Sequence, residues 1–152
     1  MDIRLDDLTH PLVHALLEEH MANMRAESPP ECVFALDLDK LRAPGISFWT
    51  AWDGAELVGC GALRELDATH GEIKSMRTPN ALRRRGAGRA ILQHIIATAR
   101  QRGYQRLSLE TGSTPGFAAA HALYLDAGFV PTGPFGDYRL DPFSRFLTLQ
   151  LH

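Results

Sequence analysis

Cysteine is scarce in this 152-residue chain: only Cys32 and Cys60 occur. With no CxxC pair and no multi-cysteine framework, a disulfide scaffold is excluded, and free thiols in a reducing compartment are the simplest reading. Neither cysteine has the surroundings of an obvious nucleophile. No apolar run is long enough to span a bilayer, and Met1-Asp2-Ile3-Arg4-Leu5 lacks the charged and apolar regions of a signal peptide. The expectation is a soluble, cytoplasmic protein with no membrane partner. Internal repeats and low-complexity tails are also missing. Acids are missing from one stretch: Arg77 to Leu109 holds eight arginines and no Asp or Glu, although the whole chain carries only −2. The remainder therefore carries −10. Such segregation predicts one anion-receiving edge on an acidic body rather than a broad nucleic-acid surface. Those arginines also lack the interleaved aromatics of a single-strand binder, so no nucleic-acid partner is expected.

At 45% hydrophobic residues, the chain can bury a conventional core as one domain over residues 1–152. Ile3 to Leu5 reads as a short strand. Thr9 then caps a helix with Pro11 in its first turn and Leu12, Leu16, Leu17, Met21 and Met24 on one side, ending near Arg25. Ser28-Pro29-Pro30 breaks it, and a short helix follows around Leu36 to Leu41. Ser47 to Trp52 and Glu56 to Leu66 flank Asp53-Gly54, the signal of an antiparallel hairpin. Glu72 to Thr78 adds a strand, and a helix over Arg89 to Arg102 follows with Ile91, Leu92, Ile95, Ile96 and Ala99 inward. Arg106 to Thr111 pairs parallel to the preceding strand because a helix joins them. A helix over Phe117 to Ala127 is closed by Gly128, and two last strands near Tyr138 and over Phe146 to Leu151 complete a mixed sheet.

The segment Arg83-Arg84-Arg85-Gly86-Ala87-Gly88 lies between a strand and a helix. A glycine-rich turn there presents backbone N–H groups and a positive dipole end to an anion, and the natural guest is a pyrophosphate. No Lys-Ser or Lys-Thr follows the glycines, which excludes a nucleotide triphosphatase loop. Ile91 stands where the third glycine of a Gly-x-Gly-x-x-Gly dinucleotide loop belongs.

Three motifs in order resemble the GNAT superfamily of acetyl-CoA-dependent N-acetyltransferases. Arg83 to Gly88 resembles its (Gln/Arg)-x-x-Gly-x-(Gly/Ala) loop. Glu72-Ile73-Lys74-Ser75-Met76-Arg77-Thr78 is similar to its bulged fourth strand, and Ala122-Leu123-Tyr124-Leu125-Asp126-Ala127-Gly128-Phe129 resembles its Leu-Tyr-x-x-x-Gly-Phe helix end. The resemblance covers nearly the whole chain. It implies an α/β (α+β) fold: a mixed, mostly antiparallel sheet with strands four and five splayed, flanked by about four helices. It also implies acetyl-CoA as co-substrate, with no metal, held by Met76, Arg77, Thr78, Arg83, Arg84, Arg85, Gly86, Ala87, Gly88, Arg89 and Tyr124.

Acetyl transfer to an amine needs a neutral amine, a stabilised oxyanion and a proton for the departing thiolate. The resemblance implies the N–H of Met76 as oxyanion donor, Tyr124 as general acid and Glu72 as base, with Glu110 a second candidate base and solvent a third. The alternative for Glu72 is a strand residue on a solvated face or paired with Lys74. His20, Met24, Arg25, Ser28 and Pro29 are expected in one wall of the acceptor pocket, with Trp49 opposite. His10, His14 and Glu18 share a helix stripe but lack a fourth metal ligand. The expected partner is a small-molecule or peptide amine, and a homodimer is admissible. A non-catalytic acetyl-CoA sensor on the same fold is the alternative function.

Overall fold

A computed structural model describes residues 1–27, 38–78, 86–113 and 117–151, except the side chains of His20, Asn23, Met24, Arg25, Glu27 and Asp39. In chain order the elements are β1 (Asp2–Leu5), α1 (Pro11–Glu27), α2 (Leu38–Leu41), β2 (Ile46–Asp53), β3 (Glu56–Asp67) and β4 (His70–Arg77), then α3 (Ala87–Gln101), β5 (Arg106–Gly112), α4 (Ala118–Asp126), β6 (Val130–Thr132) and β7 (Ser144–Gln150). The strands form one sheet in the order β1-β2-β3-β4-β5-β7-β6. Only β4 and β5 run parallel, as a helical crossover between them demands; the other neighbours are antiparallel.

Two apolar layers cover the two faces. On one, Ile91, Leu92, Ile95, Ile96 and Ala99 of α3 pack with Leu63, Ile73, Leu107, Leu109, Tyr124 and Phe129. On the other, Val13, Leu16 and Leu17 of α1 and Leu41 of α2 pack with Phe48, Trp52, Cys60 and Ala62. Helix α3 comes close enough because β3 carries glycine beneath it. A Cβ on Gly61 would stand 2.8 Å from Ile91 Cγ2 and 2.7 Å from Met76 Sδ.

Three local expectations are corrected. Thr9 does not cap α1: its hydroxyl bonds Asp7, and His10 Nδ1 accepts the Leu12 N–H at 3.0 Å. The helix also runs to Glu27 rather than stopping near Arg25. No strand forms at Tyr138; the penultimate strand is Val130–Thr132, and Tyr138 sits in an irregular segment where its N–H donates to Phe135 O at 3.1 Å. Pro134, Gly136 at φ 55° and Pro142 break extension there. Burying the rings of Phe135 and Tyr138 against Phe146, at centroid distances of 6.0 and 5.6 Å, replaces a ladder. Helices number four among the described residues, α2 being a single turn.

Candidate active site

Strands β4 and β5 are paired only from His70↔Arg106 to Ile73↔Leu109; beyond Ile73 they part. In the same place β4 bulges against β3. Cys60 faces Arg77 and Ala62 faces Lys74, so Ser75 and Met76 together oppose the single residue Gly61. Ser75 takes φ 56°, a left-handed conformation unusual for a residue with a side chain, and its carbonyl accepts from the Cys60 thiol at 3.3 Å. The bulge turns the Ser75–Met76 peptides away from the regular ladder, beside the gap that β5 leaves.

Helix α3 starts at the edge of this gap. Ala87 Cβ and Arg77 O both lie 3.3 Å from where a Cβ on Gly59 would stand, so the helix start adjoins the end of β4. Gly86 occupies the N-cap position at φ 82°, where glycine is unstrained. The first helical bond runs from the Ala90 N–H to Gly86 O at 3.0 Å. The amides of Ala87, Gly88 and Arg89 therefore have no intrahelical acceptor and concentrate the positive end of the helix. Gly88 is half-buried, and a Cβ there would meet only Leu123 at 3.4 Å. The Arg89 guanidinium bonds Asp126 of α4 at 2.6 Å on the surface. Arg83, Arg84 and Arg85 lie outside the described residues. Arg77, half-buried, reaches Glu19 of α1 at 3.5 Å, and Thr78 directly follows β4, also half-buried.

Two titratable groups flank the gap from opposite faces. Tyr124 of α4 is 6% exposed, edge-on to Phe129, and its phenol is pushed well above the usual range by burial and then by the charge of Glu110. Glu110 follows Leu109, the last β5 residue paired to β4. Because Leu109 points into the α3 layer, Glu110 points to the other face, the face that Lys74, the residue after Ile73 on β4, also takes. Burial pushes Glu110 up to about 7; Asp141 and Glu72 push the same way, while a hydrogen bond with Ser144 and the charge of Lys74 pull it down.

Glu72 is held differently. It is 1% exposed, and its Oε2 accepts from the Tyr138 hydroxyl at 2.6 Å and from Lys74 Nζ at 3.3 Å. Its Oε1 has no hydrogen-bond partner and lies 3.8 Å from Arg64 Nη1. Pairing with Lys74 thus holds, but in a buried cluster rather than on a solvated face. Sequence reasoning missed Tyr138 in this cluster, since nothing local ties it to a strand 66 residues away.

The acceptor wall is partly visible. His20, Met24 and Arg25 fall on the last turns of α1 with side chains outside the described set, as are Ser28 and Pro29 entirely. Trp49 is a correction: it is 5% exposed beneath α3, edge-on to His94 at 5.5 Å, on the face opposite α1. It packs the core and cannot face the α1 wall. The His10 and His14 rings serve the start of α1, with His14 Nε2 2.6 Å from Leu8 O. Among the described residues no group of three or more His, Cys, Asp or Glu side chains is placed to hold a metal. Burial pushes the Cys60 thiol up to about 12, which makes it unreactive. Among the described residues no helix is long and apolar enough to cross a membrane.

A split parallel pair, a bulge beside the split and a glycine-started helix at its rim are the features around which the fold is built. Residues 13–129 match the acetyltransferase (GNAT) family, and the chain belongs to it. It is 56% identical to the uncharacterized N-acetyltransferase YedL of Escherichia coli over 98% of this chain and 94% of that protein. It is 54% identical to the uncharacterized N-acetyltransferase YsnE of Bacillus subtilis over 99% and 100% of the two chains. Among solved structures, a candidate acyl-CoA N-acyltransferase from Klebsiella pneumoniae superposes with a TM-score of 0.83 at 29% identity, covering 99% of this chain and 97% of that one.

Proposed function

We propose that this chain moves the acetyl group of acetyl-CoA to the primary amine of a small molecule or peptide by direct attack in a ternary complex. The observation that supports this reading is the parting of β4 and β5 past Ile73↔Leu109, with Glu110 the next residue of β5 and the buried Tyr124 phenol within reach of its charge. The amides of Ala87, Gly88 and Arg89, with Arg77 and Thr78 at the end of β4 and the three arginines that precede Gly86 in the sequence, would hold the diphosphate.

Glu110, half ionised near neutrality, takes the proton that the attacking nitrogen sheds as the new C–N bond forms. This assignment replaces Glu72 as base, because both partners of Glu72 Oε2 and its burial keep that carboxylate from an acceptor. The Met76 N–H, in the bulge, faces the oxyanion and contributes about 3 kcal/mol to its stabilisation. As the C–S bond breaks, the Tyr124 hydroxyl donates a hydrogen bond to the developing thiolate, which takes its proton from solvent while Glu110 returns the nitrogen's proton to solvent, so that the net reaction moves one proton from nitrogen to sulfur. The raised phenol makes hydrogen bonding, rather than full ionisation, the role of Tyr124. The last turns of α1, including His20, Met24 and Arg25, with Ser28 and Pro29 beyond them, would form the acceptor wall.

An amine-library screen reading free coenzyme thiol tests the reading: a transferase releases thiol with at least one amine, whereas a sensor binds the coenzyme and releases none. With an accepted amine in hand, Tyr124→Phe lowers kcat by roughly tenfold to a hundredfold and leaves acetyl-CoA affinity within about twofold. Full activity of that variant against every accepted amine removes Tyr124 from the chemistry.

A further inference from the structure

Lys74 sits on β4 one residue past the last pair to β5, on the same face as Glu110 one residue past it on β5. Its side chain is 8% exposed, an unusual position for an ammonium group. Nζ donates to Glu72 Oε2 at 3.3 Å and to the Tyr138 hydroxyl at 2.8 Å, and stands 5.4 Å from the Tyr138 ring centroid. Tyr138 in turn donates to Glu72, closing a triangle of three buried polar groups drawn from β4 and the 133–143 segment. Such a closed set fixes one rotamer of each member. An ammonium has three donors, and two are accounted for within the triangle.

We propose that Lys74 is a positioning residue for the transfer reaction: clamped by Glu72 and Tyr138, it holds a fixed positive charge on the face that Glu110 shares and so favours the proton-accepting form of that carboxylate. This inference rests on the reading of Glu110 as the proton acceptor. Among the described residues, the groups whose charge or hydrogen bond couples to Glu110 are Lys74 and Glu72 from β4, Ser144 of β7 with Asp141 just before it, Tyr138 from the 133–143 segment and Tyr124 from α4. Of these Lys74 alone is a cation. Burial, Asp141 and Glu72 all favour the protonated carboxyl; the Ser144 hydrogen bond opposes them most, and Lys74 is the next opposing influence and the charged one. Glu72 thereby acts at second hand, holding the clamp while adding its own negative charge.

The two partners must then move Glu110 in opposite directions. Lys74→Met removes the cation and raises the Glu110 titration by about one pH unit, so the acidic limb of kcat/KM moves up by the same amount. Glu72→Gln keeps an oxygen that accepts from Lys74 Nζ, leaves the Lys74–Tyr138 hydrogen bond in place and removes an anion, so it lowers both by a fraction of a unit. Lys74→Arg keeps the charge and restores most of the wild-type midpoint. Two readouts are needed: the Glu110 carboxyl carbon followed by NMR in protein labelled at glutamate, assigned with Glu110→Gln, and the pH profile of acetyl transfer. Opposite shifts of the NMR midpoint in Lys74→Met and Glu72→Gln support the clamp. Shifts of one sign, or none, overturn it, because a merely structural role would not invert with the charge removed. If the NMR midpoints move as stated while the pH profile stays fixed, the clamp stands and Glu110 is not the base. Should Lys74→Met fail to fold, Glu72→Gln and Lys74→Arg decide the matter, an unmoved midpoint in Glu72→Gln counting against the proposal.

Discussion

Glu110→Gln lowers kcat by roughly a hundredfold to a thousandfold while leaving the affinity for acetyl-CoA within about twofold. The amide is nearly isosteric and keeps a hydrogen bond to Ser144, so only proton acceptance is lost. In the wild type, kcat/KM rises with pH through about 7, where Glu110 ionises, and that limb vanishes in the variant. The same substitution stabilises the protein. Glu110 binds its proton more tightly folded than unfolded, so its contribution to stability is fully present below the unfolded carboxyl range and is lost as pH rises through about 7. Above that pH the wild type pays for a half-buried carboxylate. The variant should exceed it by about 2 kcal/mol at pH 8, after allowance for partial exposure, and the two should converge near pH 4. Thermal melts at both values check this; a variant less stable than wild type at pH 8 would mean that the carboxylate is a stabilising partner rather than a strained base.

Gly88→Asp separates folding from coenzyme binding. The position has room, since a Cβ meets only Leu123 at 3.4 Å, and a carboxylate in the first turn of α3 interacts favourably with the helix dipole. The fold should therefore tolerate the change, with Tm unchanged or slightly raised. Yet the new carboxylate lies among the amides of Ala87 and Arg89, where a diphosphate would rest. Repulsion and lost amide contacts should weaken coenzyme A binding by at least a hundredfold, or about 3 kcal/mol. Fluorescence or calorimetric titration of the folded variant checks it, and wild-type affinity in Gly88→Asp would place the diphosphate elsewhere. Gly88→Ala, which adds bulk without charge, should fall between.

Elements with a local cause were legible in the chain. Asp53-Gly54 announced the β2–β3 hairpin, and the Ile91, Leu92, Ile95, Ile96, Ala99 spacing gave the buried face of α3. The parallel β4–β5 pair followed from the helix between them, and the splay and bulge from resemblance to the family. Long-range and two-sided features were not legible. Phe48 and Trp49 are adjacent and both buried because β2 is covered on both faces, so alternation gives no sign of which one lies toward α1. The sequence alone therefore cannot assign Trp49 to the α3 side. Glu72 and Glu110 both read as strand carboxylates. Only the tertiary partners Tyr138 and Lys74, which lock the first, and the open strand edge beside the second tell them apart. Tyr138 read as a strand residue because its β-propensity is real, but Pro134, Gly136 and Pro142 and the packing of its ring overrode it.

In the proposed mechanism, backbone amides at the start of α3 grasp a diphosphate beside the split between β4 and β5. Its most direct test is a pair of calorimetric titrations of the wild-type protein, one with acetyl-CoA and one with S-acetyl-pantetheine, which keeps the thioester arm and lacks the diphosphate. Acetyl-CoA should bind, and the truncated thioester should bind at least a hundredfold more weakly. Equal affinity for the two, or no heat with acetyl-CoA, would contradict it.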